Sequence, residues 1–218
     1  MRSDETKAPV LGTVNWFRKR RGARLRMLLA SLSRELGRDL HVLDVGGRPA
    51  YWENVRPEGI ARIVVVNTSP TELGRTSLPL RFETFVGDAR DLSGYADGSF
   101  DVVHSNSVIE HVGTWRDMQL MAHELRRVGV HGWVQTPAWE FPIEPHHRLP
   151  FVHWLGAPAQ RAALSVARRY RGTSISERRE HVERINLLAR PEVEALFPGC
   201  AISVERFAGL PKSYIATW

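Results

Sequence analysis

The sequence of 218 residues contains one cysteine and lacks a long apolar run. Cys200 therefore has no second cysteine with which to form an intramolecular disulfide bond. None of the apolar stretches approaches the roughly 18 residues needed to cross a bilayer, and none of signal-peptide length follows Met1. We therefore expect no transmembrane segment and predict the reducing cytoplasm as the location.

Acidic residues are too few to balance the basic ones. The sequence has 24 Asp and Glu but 30 Lys and Arg, which gives a net charge of +6. Much of the excess lies in two patches: Arg18, Lys19, Arg20, Arg21, Arg24 and Arg26, and Arg168, Arg169, Arg171, Arg178 and Arg179. Such patches attract nucleic acid, phosphorylated ligands or anionic lipid, or are solvated helix faces. Because no dedicated nucleic-acid-binding motif accompanies them, we do not expect a nucleic acid partner. Weak contact with a membrane surface and the oligomeric state stay open.

Short apolar runs alternate with segments of helical periodicity along most of the chain. The predicted helices cover 14–36, 114–127, 158–170 and 190–197. The predicted strands cover 41–45, 61–66, 81–86, 100–104, 129–135, 201–207 and 213–217. This alternation indicates an α/β protein with a parallel sheet covered by helices on both faces. We expect one domain over residues 1–218, with a basic N-terminal helix (about 14–37) and an insertion over the site (about 137–181).

Polar residues and glycines follow the first four predicted strands, and ligands of open parallel sheets bind at these carboxyl ends. The candidates, in strand order, are Asp44, Gly46 and Gly47, then Asn67, then Asp88 and Ala89, then Ser105 and Asn106. Glycines let the backbone approach a ligand, and an amide or carboxylate here can hydrogen-bond the hydroxyls or the amino group of a nucleoside. For Asp88 the alternative is a turn or helix cap.

A second group of candidates consists of histidines next to carboxylates. Glu110 and His111 follow the fourth strand, and Glu144, His146 and His147 lie in the insertion. Imidazoles beside carboxylates suit general base catalysis, although a purely structural role for the adjacent Glu-His pair stays open. His153 would extend the set toward a metal site, but the ligand spacing is irregular and no metal site is predicted.

Four stretches together resemble the class I S-adenosylmethionine-dependent methyltransferases, in the branch with a Glu-His pair after the fourth strand. They are HVLDVGG, FVGDARDL, SFDVVHSNSVIEHVG and WVQTPAWEFPIEPHHRLPFVHWL, and the resemblance extends from about His41 to the C-terminus through LFPGC and GLPKSYIA. It implies a Rossmann-like, seven-stranded, mostly parallel sheet with helices on both faces and an antiparallel last strand. It also implies S-adenosyl-L-methionine as cofactor.

The resemblance also implies roles for the residues at the strand ends. Asp44, Gly46 and Gly47 would line the methionine and ribose side, Asn67 the ribose, Asp88 and Ala89 the adenine, and Ser105 and Asn106 the methionine portion. Two features depart from the family pattern. Arg48-Pro49 cuts the glycine-rich turn short, and Asn67 replaces the usual ribose-binding acid.

These features predict a methyltransferase that acts on an oxygen or nitrogen of a small molecule, such as a natural product or a sugar-containing metabolite. His111, His146 and His147 are the candidate catalytic bases, since removal of a proton from the acceptor is the step in which a base can assist. The candidate acceptor-binding residues are Tyr51, Glu110, Trp139 and Glu144. The alternatives are an RNA-directed methyltransferase or RNA-binding protein, suggested by the arginine patches, and a noncatalytic protein of the same fold.

Overall fold

The structure, a computed structural model, describes residues 11–70 and 80–218, and the side chains from residue 16 onward in the first of these ranges. Its sheet has seven strands in the order β3-β2-β1-β4-β5-β7-β6. The strands are β1 (Leu40–Val45), β2 (Ile60–Asn67), β3 (Phe82–Val86), β4 (Phe100–Asn106), β5 (Gly129–Pro137), β6 (Ala201–Phe207) and β7 (Leu210–Thr217). Strands β1 to β5 run parallel to one another, and β7 is antiparallel to both β5 and β6. The predicted sheet with an antiparallel last strand is confirmed.

Helices cover both faces of this sheet. They are α1 (Leu11–Leu36), α2 (Pro49–Val55), α3 (Trp115–Val128), α4 (Ala157–Val166), α5 (Ile175–Glu183) and α6 (Arg190–Leu196). On one face α1 and α2 contribute Leu25, Leu29 and Trp52 to a core with β1 and β2. On the other face α3 and α6 pack Met121 and Leu196 against the opposite side of the same strands. The central strands are therefore buried on both sides, as their continuous apolar runs predict.

The sheet contains a point at which the direction of strand progression reverses. The chain moves outward from β1 through β2 to β3, and then crosses back to place β4 on the other side of β1. A crevice opens outside the carboxyl ends of the strands at such a reversal, because the flanking connections leave in opposite directions. This geometry brings the predicted residues after β1, β2, β3 and β4 to one edge of the sheet.

The insertion differs in detail from its sequence prediction. The helix expected over 158–170 ends with α4 at Val166, because Ala167 is extended (φ −70°, ψ 131°) and a separate 3-10 turn, Arg168–Tyr170, follows. Beyond 170, where no helix was predicted in the insertion, the chain forms α5, which begins at a capping box between Ser174 and Glu177. The extent of the domain stays a prediction, and residues 1–10 and 71–79 lie outside the described residues.

The described helices include no candidate for a membrane span. The 26-residue α1 has sufficient length, but its charged residues make it too polar.

Candidate functional site

The carboxyl ends of β1, β2 and β3 and the segment after β4 enclose a cleft, here called the switch-point cleft. Its volume is about 400 Å³, which is within the range of small-molecule sites. Of the predicted cofactor-binding residues, the cleft wall contains Gly46, Asn67, Asp88 and Ala89. It also contains His111 from the predicted catalytic set, so one cavity connects the two groups of candidates.

The turn after β1 has a backbone that only glycine accommodates easily. Gly46 has a φ of +70°, and a Cβ there would lie 2.5 Å from a methyl carbon of Val108. A Cβ on Gly47 would lie 1.8 Å from a carboxylate oxygen of Asp44. The two glycines therefore keep the mouth of the cleft open above β1.

Asp44 lies beneath this turn and is fully buried. One carboxylate oxygen accepts a hydrogen bond from Trp52 Nε1 at 2.8 Å, and the other is 2.7 Å from Nδ1 of the buried His104. Its position is therefore that of a support for the glycine turn. Direct contact of Asp44 with a cofactor stays a prediction.

Asn67, at the end of β2, connects two turns of the cleft. Its Nδ2 donates to the carbonyl oxygen of Gly47 at 3.0 Å, and its Oδ1 accepts from the backbone N–H of Ser69 at 3.2 Å. An amide oxygen has a second lone pair, so Oδ1 retains capacity for a ligand hydroxyl. A carboxylate at this position would lack the donor that binds Gly47.

Asp88, at the end of β3, pairs with an arginine that the sequence reasoning did not select. Arg90 Nη2 lies 2.6 Å from the Asp88 carboxylate, and Arg90 Nη1 lies 2.8 Å from that of Asp117. Hydrogen bonding by Arg90 lowers the pKa of Asp88, so the group is an anion at neutral pH. Ala89 is buried beside it. The short Gly-Asp-Ala-Arg sequence was the available signal for Arg90.

The residues at the end of β4 and just beyond it point in different directions. Ser105 is buried and its hydroxyl has no hydrogen-bond partner among the described residues, whereas Asn106 accepts a hydrogen bond from Arg21 of α1 at 2.7 Å. Ser107 lines the cleft in a left-handed conformation (φ +56°). Its backbone N–H donates a hydrogen bond to the carbonyl oxygen of Gln135 at 2.9 Å. The structure thus places Ser107 in the cleft wall and directs Asn106 toward α1, and the cofactor roles of Ser105 and Asn106 stay predictions.

A cluster of two histidines and two glutamates adjoins the cleft, and Glu110, His111, Glu144 and His146 are here called the histidine–carboxylate cluster. Glu110 and His111 come from a 3-10 helix, Ile109–His111, and Glu144 and His146 from the insertion. Nε2 of His111 lies 3.0 Å from Nε2 of His146, and Nδ1 of His146 lies 2.6 Å from Glu144 Oε1. The tertiary fold thus unites two of the three predicted bases.

Burial and pairing set the ionisation of this cluster. Glu110 is fully buried, and burial raises its pKa to about 7. Burial also lowers the pKa of His111. For His146, burial acts to lower the pKa, but the hydrogen bond and charge of Glu144 outweigh it and the pKa is raised. Burial acts to raise the pKa of Glu144, yet hydrogen bonds from His146 and His147 leave it lowered.

The remaining predicted residues lie apart from this cluster. His147 is buried with its Nδ1 2.7 Å from the Tyr170 hydroxyl, and its contact with Glu144 is made by its backbone N–H. His153 bonds the carbonyl oxygen of Trp139 at 2.9 Å. Trp139 itself is largely exposed, and Tyr51 stacks on His104. Roles for His147, Tyr51 and Trp139 in acceptor binding or catalysis stay predictions.

Comparison with known proteins agrees with this architecture. Residues 43–132 match the family described as methyltransferase domain. An uncharacterized methyltransferase of Mycolicibacterium gilvum is 31% identical over 138 residues, which are 61% of this chain and 52% of that protein. A second, from Mycobacterium avium, is 33% identical over 133 residues, 59% of this chain and 51% of that protein. The chain spans about half the length of the curated relatives it matches.

Solved structures show the same fold. Magnesium protoporphyrin IX methyltransferase from Synechocystis PCC 6803, with bound S-adenosylmethionine, superposes with a TM-score of 0.59 at 11% identity, covering 99% of this chain and 85% of that one. The N-methyltransferase NodS from Bradyrhizobium japonicum, in complex with S-adenosyl-L-homocysteine, gives 0.52 at 14% identity, covering 89% and 84%. The fold is therefore that of these methyltransferases, and residues 43–132 match a methyltransferase domain family.

S-adenosylmethionine is bound in the Synechocystis structure, and the switch-point cleft of this protein suits the same ligand. Gly46, which has no side chain and packs closely against Val108, forms part of the cleft wall. Acceptors for hydroxyl and amino groups, Asn67 and Asp88, line the same wall as the small Ala89. The cleft volume of about 400 Å³ is within the range of sites for small molecules and cofactors. The donor set therefore fits the cofactor, despite the asparagine in place of an acid.

Proposed function

We propose that this protein transfers a methyl group from S-adenosylmethionine to an oxygen or nitrogen atom of a small-molecule acceptor. The observation that supports the proposal most directly is the continuity of one cleft from Asn67 and Asp88 to His111. When bound, the cofactor supplies an electrophilic methyl group on a sulfonium. Such a transfer requires no nucleophile from the protein, so positioning and proton removal are the main tasks of its side chains.

In this proposal the strand ends hold the cofactor. Backbone groups of the Gly46-Gly47 turn face the methionine and ribose portion, with Asp44 as support below. Asn67 Oδ1 accepts a ribose hydroxyl, and Asp88 with the backbone of Ala89 binds the adenine. Ser105 and Asn106 belong to the methionine side by their position after β4.

The histidine–carboxylate cluster acts on the acceptor. His111 lines the cleft, and Glu144 orients the ring of His146 next to it. Tyr51, Trp139 and His147 complete the proposed set, with the aromatic rings as apolar walls. An acceptor from natural product biosynthesis and a cytoplasmic location belong to the same proposal. Among the similar solved structures, the name of NodS, an N-methyltransferase, agrees with a nitrogen acceptor.

A noncatalytic protein of this fold is the second candidate. Arg90 forms an ion pair with the carboxylate of Asp88. The Nδ2 and the Oδ1 of Asn67 each already have a hydrogen-bond partner within the protein. These contacts compete with cofactor binding, whereas they stabilise the empty cleft. The two candidates therefore differ in affinity for S-adenosylmethionine.

Calorimetric titration with S-adenosylmethionine tests the proposal. We expect binding by the wild type and about a 10- to 100-fold loss of affinity in Asp88→Ala, because a hydrogen bond to a charged group contributes about 1.5–3 kcal/mol. His147→Ala should lose less, since its side chain contacts Tyr170. Asp91→Ala is the matched control, as this exposed aspartate bonds the N–H of Ser93.

Two outcomes contradict the proposal. Absence of both heat and a thermal shift at millimolar cofactor would identify the noncatalytic protein. Equal losses in Asp88→Ala and Asp91→Ala would remove Asp88 from the adenine site.

A further inference from the structure

Both Nδ1 atoms of the histidine pair face oxygen acceptors. His111 Nδ1 is 3.3 Å from the carbonyl oxygen of Arg184, and His146 Nδ1 is 2.6 Å from the carboxylate of Glu144. A carbonyl or carboxylate oxygen only accepts, so each Nδ1 carries the proton. In the neutral rings each Nε2 then has a bare lone pair.

These two lone pairs face each other at 3.0 Å between the Nε2 atoms. Two acceptors at this distance repel each other unless a cation lies between them. A proton on one ring would serve, and so would a metal ion. Histidine ligands of metals characteristically donate their other N–H to a carboxylate or a backbone carbonyl, which are the two partners seen here.

A buried carboxylate oxygen without a partner faces the same place. Glu110 is 0% exposed, its Oε2 accepts from Thr136 Oγ1 at 3.1 Å, and its Oε1 has no hydrogen-bond partner in the part of the chain that the structure describes. Oε1 lies 4.0 Å from Nε2 of His146. A buried carboxyl oxygen without a hydrogen-bond donor is costly, and a metal cation would satisfy it.

We propose that Glu110, His111 and His146 bind a divalent transition-metal ion at the acceptor end of the switch-point cleft. One ligand atom from each of the three residues lies within 4.8 Å of the other two. Two nitrogens of one tetrahedral zinc site lie about 3.3 Å apart, given Zn–N distances of about 2.0–2.1 Å. The histidines thus have nearly the required separation, and the carboxylate needs to approach by about 1 Å.

The donor set selects the class of ion. Two imidazoles and one carboxylate suit Zn²⁺, Co²⁺ or Mn²⁺ and leave coordination positions open, whereas Mg²⁺ prefers oxygen ligands throughout. Because His111 lines the cleft, the open positions face the acceptor. Glu144 takes the role of the outer partner that orients His146.

This inference rests on the proposed function and narrows its acceptor to a hydroxyl compound. A metal ion that holds the acceptor oxygen lowers the pKa of the hydroxyl. The O–H bond then breaks, the proton leaves to solvent, and the electron pair stays on oxygen. The metal ion therefore replaces a histidine base in activating the acceptor.

The test uses tag-free full-length protein, treated with a chelator and dialysed. Calorimetry with ZnCl₂ should give one ion per chain, and CoCl₂ should give the visible absorption of a cobalt site with nitrogen ligands. Glu110→Gln, His111→Ala and His146→Ala should each abolish the site. Glu144→Gln should weaken it about 10- to 100-fold, as loss of an outer partner typically does.

The matched control is His123→Ala, on the exposed face of α3. This variant should bind the ion as the wild type does. Circular dichroism checks that each variant is folded. If an alanine variant unfolds, the test relies on Glu110→Gln, because glutamine has nearly the same shape as glutamate.

Three results would overturn the site: no binding of Zn²⁺, Co²⁺ or Mn²⁺ by folded wild type, binding of Mg²⁺ alone, or affinity unchanged in Glu110→Gln and His146→Ala. Titration of the metal-free protein with S-adenosylmethionine separates the two proposals. Cofactor binding without metal binding leaves the methyltransferase proposal intact and refutes the metal site. Metal binding without cofactor binding leaves the metal site intact and refutes the methyltransferase proposal.

Discussion

Two features of the structure require glycine at position 46, the positive φ and the close approach of Val108. Its φ of +70° is costly for a residue with a side chain, and Val108 occupies the space where a Cβ would project. The turn also depends on the backbone, since the Gly46 N–H donates to the carbonyl oxygen of Val66 at 2.7 Å. The shape of the cleft at β1 is therefore set by the absence of a side chain.

Gly46→Ala should destabilise the protein and weaken cofactor binding. The positive φ costs about 1–2 kcal/mol, and the contact with Val108 adds about 1–3 kcal/mol of overpacking. Gly37→Ala is the control, since Gly37 also has a positive φ (+64°) but nothing within 4 Å of its Cβ position. Urea unfolding and calorimetry with S-adenosylmethionine compare the two. Equal stability losses would show that the Val108 contact relaxes freely.

At the scale of elements, α1 is fastened to the sheet by a buried ion pair. Arg21 Nη2 lies 2.5 Å from Glu205 Oε2 on β6, and Arg21 Nη1 donates to Gln135 on β5 at 2.7 Å. Gln135 in turn holds Ser107 at the cleft wall. One arginine of a basic helix thus connects α1, the far edge of the sheet and the site.

Glu205→Gln should cost about 3–5 kcal/mol of unfolding free energy at pH 7, because it leaves a buried guanidinium without its counter-ion. The exposed pair of Arg190 and Glu194 supplies the control, since Glu194→Gln should cost at most about 1 kcal/mol. Urea unfolding measures both. A loss in Glu205→Gln no larger than that of the control would mean that the Arg21 pair contributes no net stability.

The same pair gives a pH dependence of stability. Burial acts to raise the pKa of Glu205, but the hydrogen bond and charge of Arg21 outweigh it and the pKa is lowered. A lowered pKa contributes stability above the unfolded value of about 4.3, and this contribution is lost as the pH falls through the folded value. Unfolding from pH 7 to pH 3 should therefore show the difference between wild type and Glu205→Gln narrowing below about pH 4. If the difference in unfolding free energy between wild type and Glu205→Gln stayed constant over this pH range, Glu205 would not be the source of the pH dependence.

At the scale of the whole molecule, stability is distributed unevenly between the sheet and the insertion. Helix α3 buries five side chains, α4 buries Leu164, and α5 buries none. Local opening costs least where few apolar contacts must be broken. Helices α4 and α5 of the insertion are therefore held by fewer buried apolar side chains than α3 is.

Amides of α5 should exchange with solvent much faster than those of α3, although both helices begin at a capping box. Hydrogen exchange followed by mass spectrometry measures this difference. Comparable protection in the two helices would show that α5 is stabilised by contacts beyond those of this chain. If the metal site exists, Zn²⁺ should slow exchange around Glu144 more than around α3.

The sequence predicted the strands well and the insertion less well. Central strands such as β4 are continuous apolar runs between turn residues, because both faces are buried. Helix α5 was not predicted, because a helix with no buried residue has no apolar periodicity. Its one signal was Ser174 followed by Glu177. Arg90 was missed although its partner Asp88 is only two residues away, whereas Ser107 depends on Gln135, 28 residues away, and on a left-handed backbone that local patterns do not reveal.

The order of apolar runs and turn residues by itself determined the seven-stranded sheet, the edge at which the cleft lies, and the resemblance to class I methyltransferases. Local sequence suffices there because periodicity and turn chemistry act between near neighbours. Only the tertiary structure decided that Asp44 lies beneath the glycine turn and that His111 meets His146, 35 residues away. Such contacts depend on how the insertion folds back across the strand ends, which local patterns do not determine.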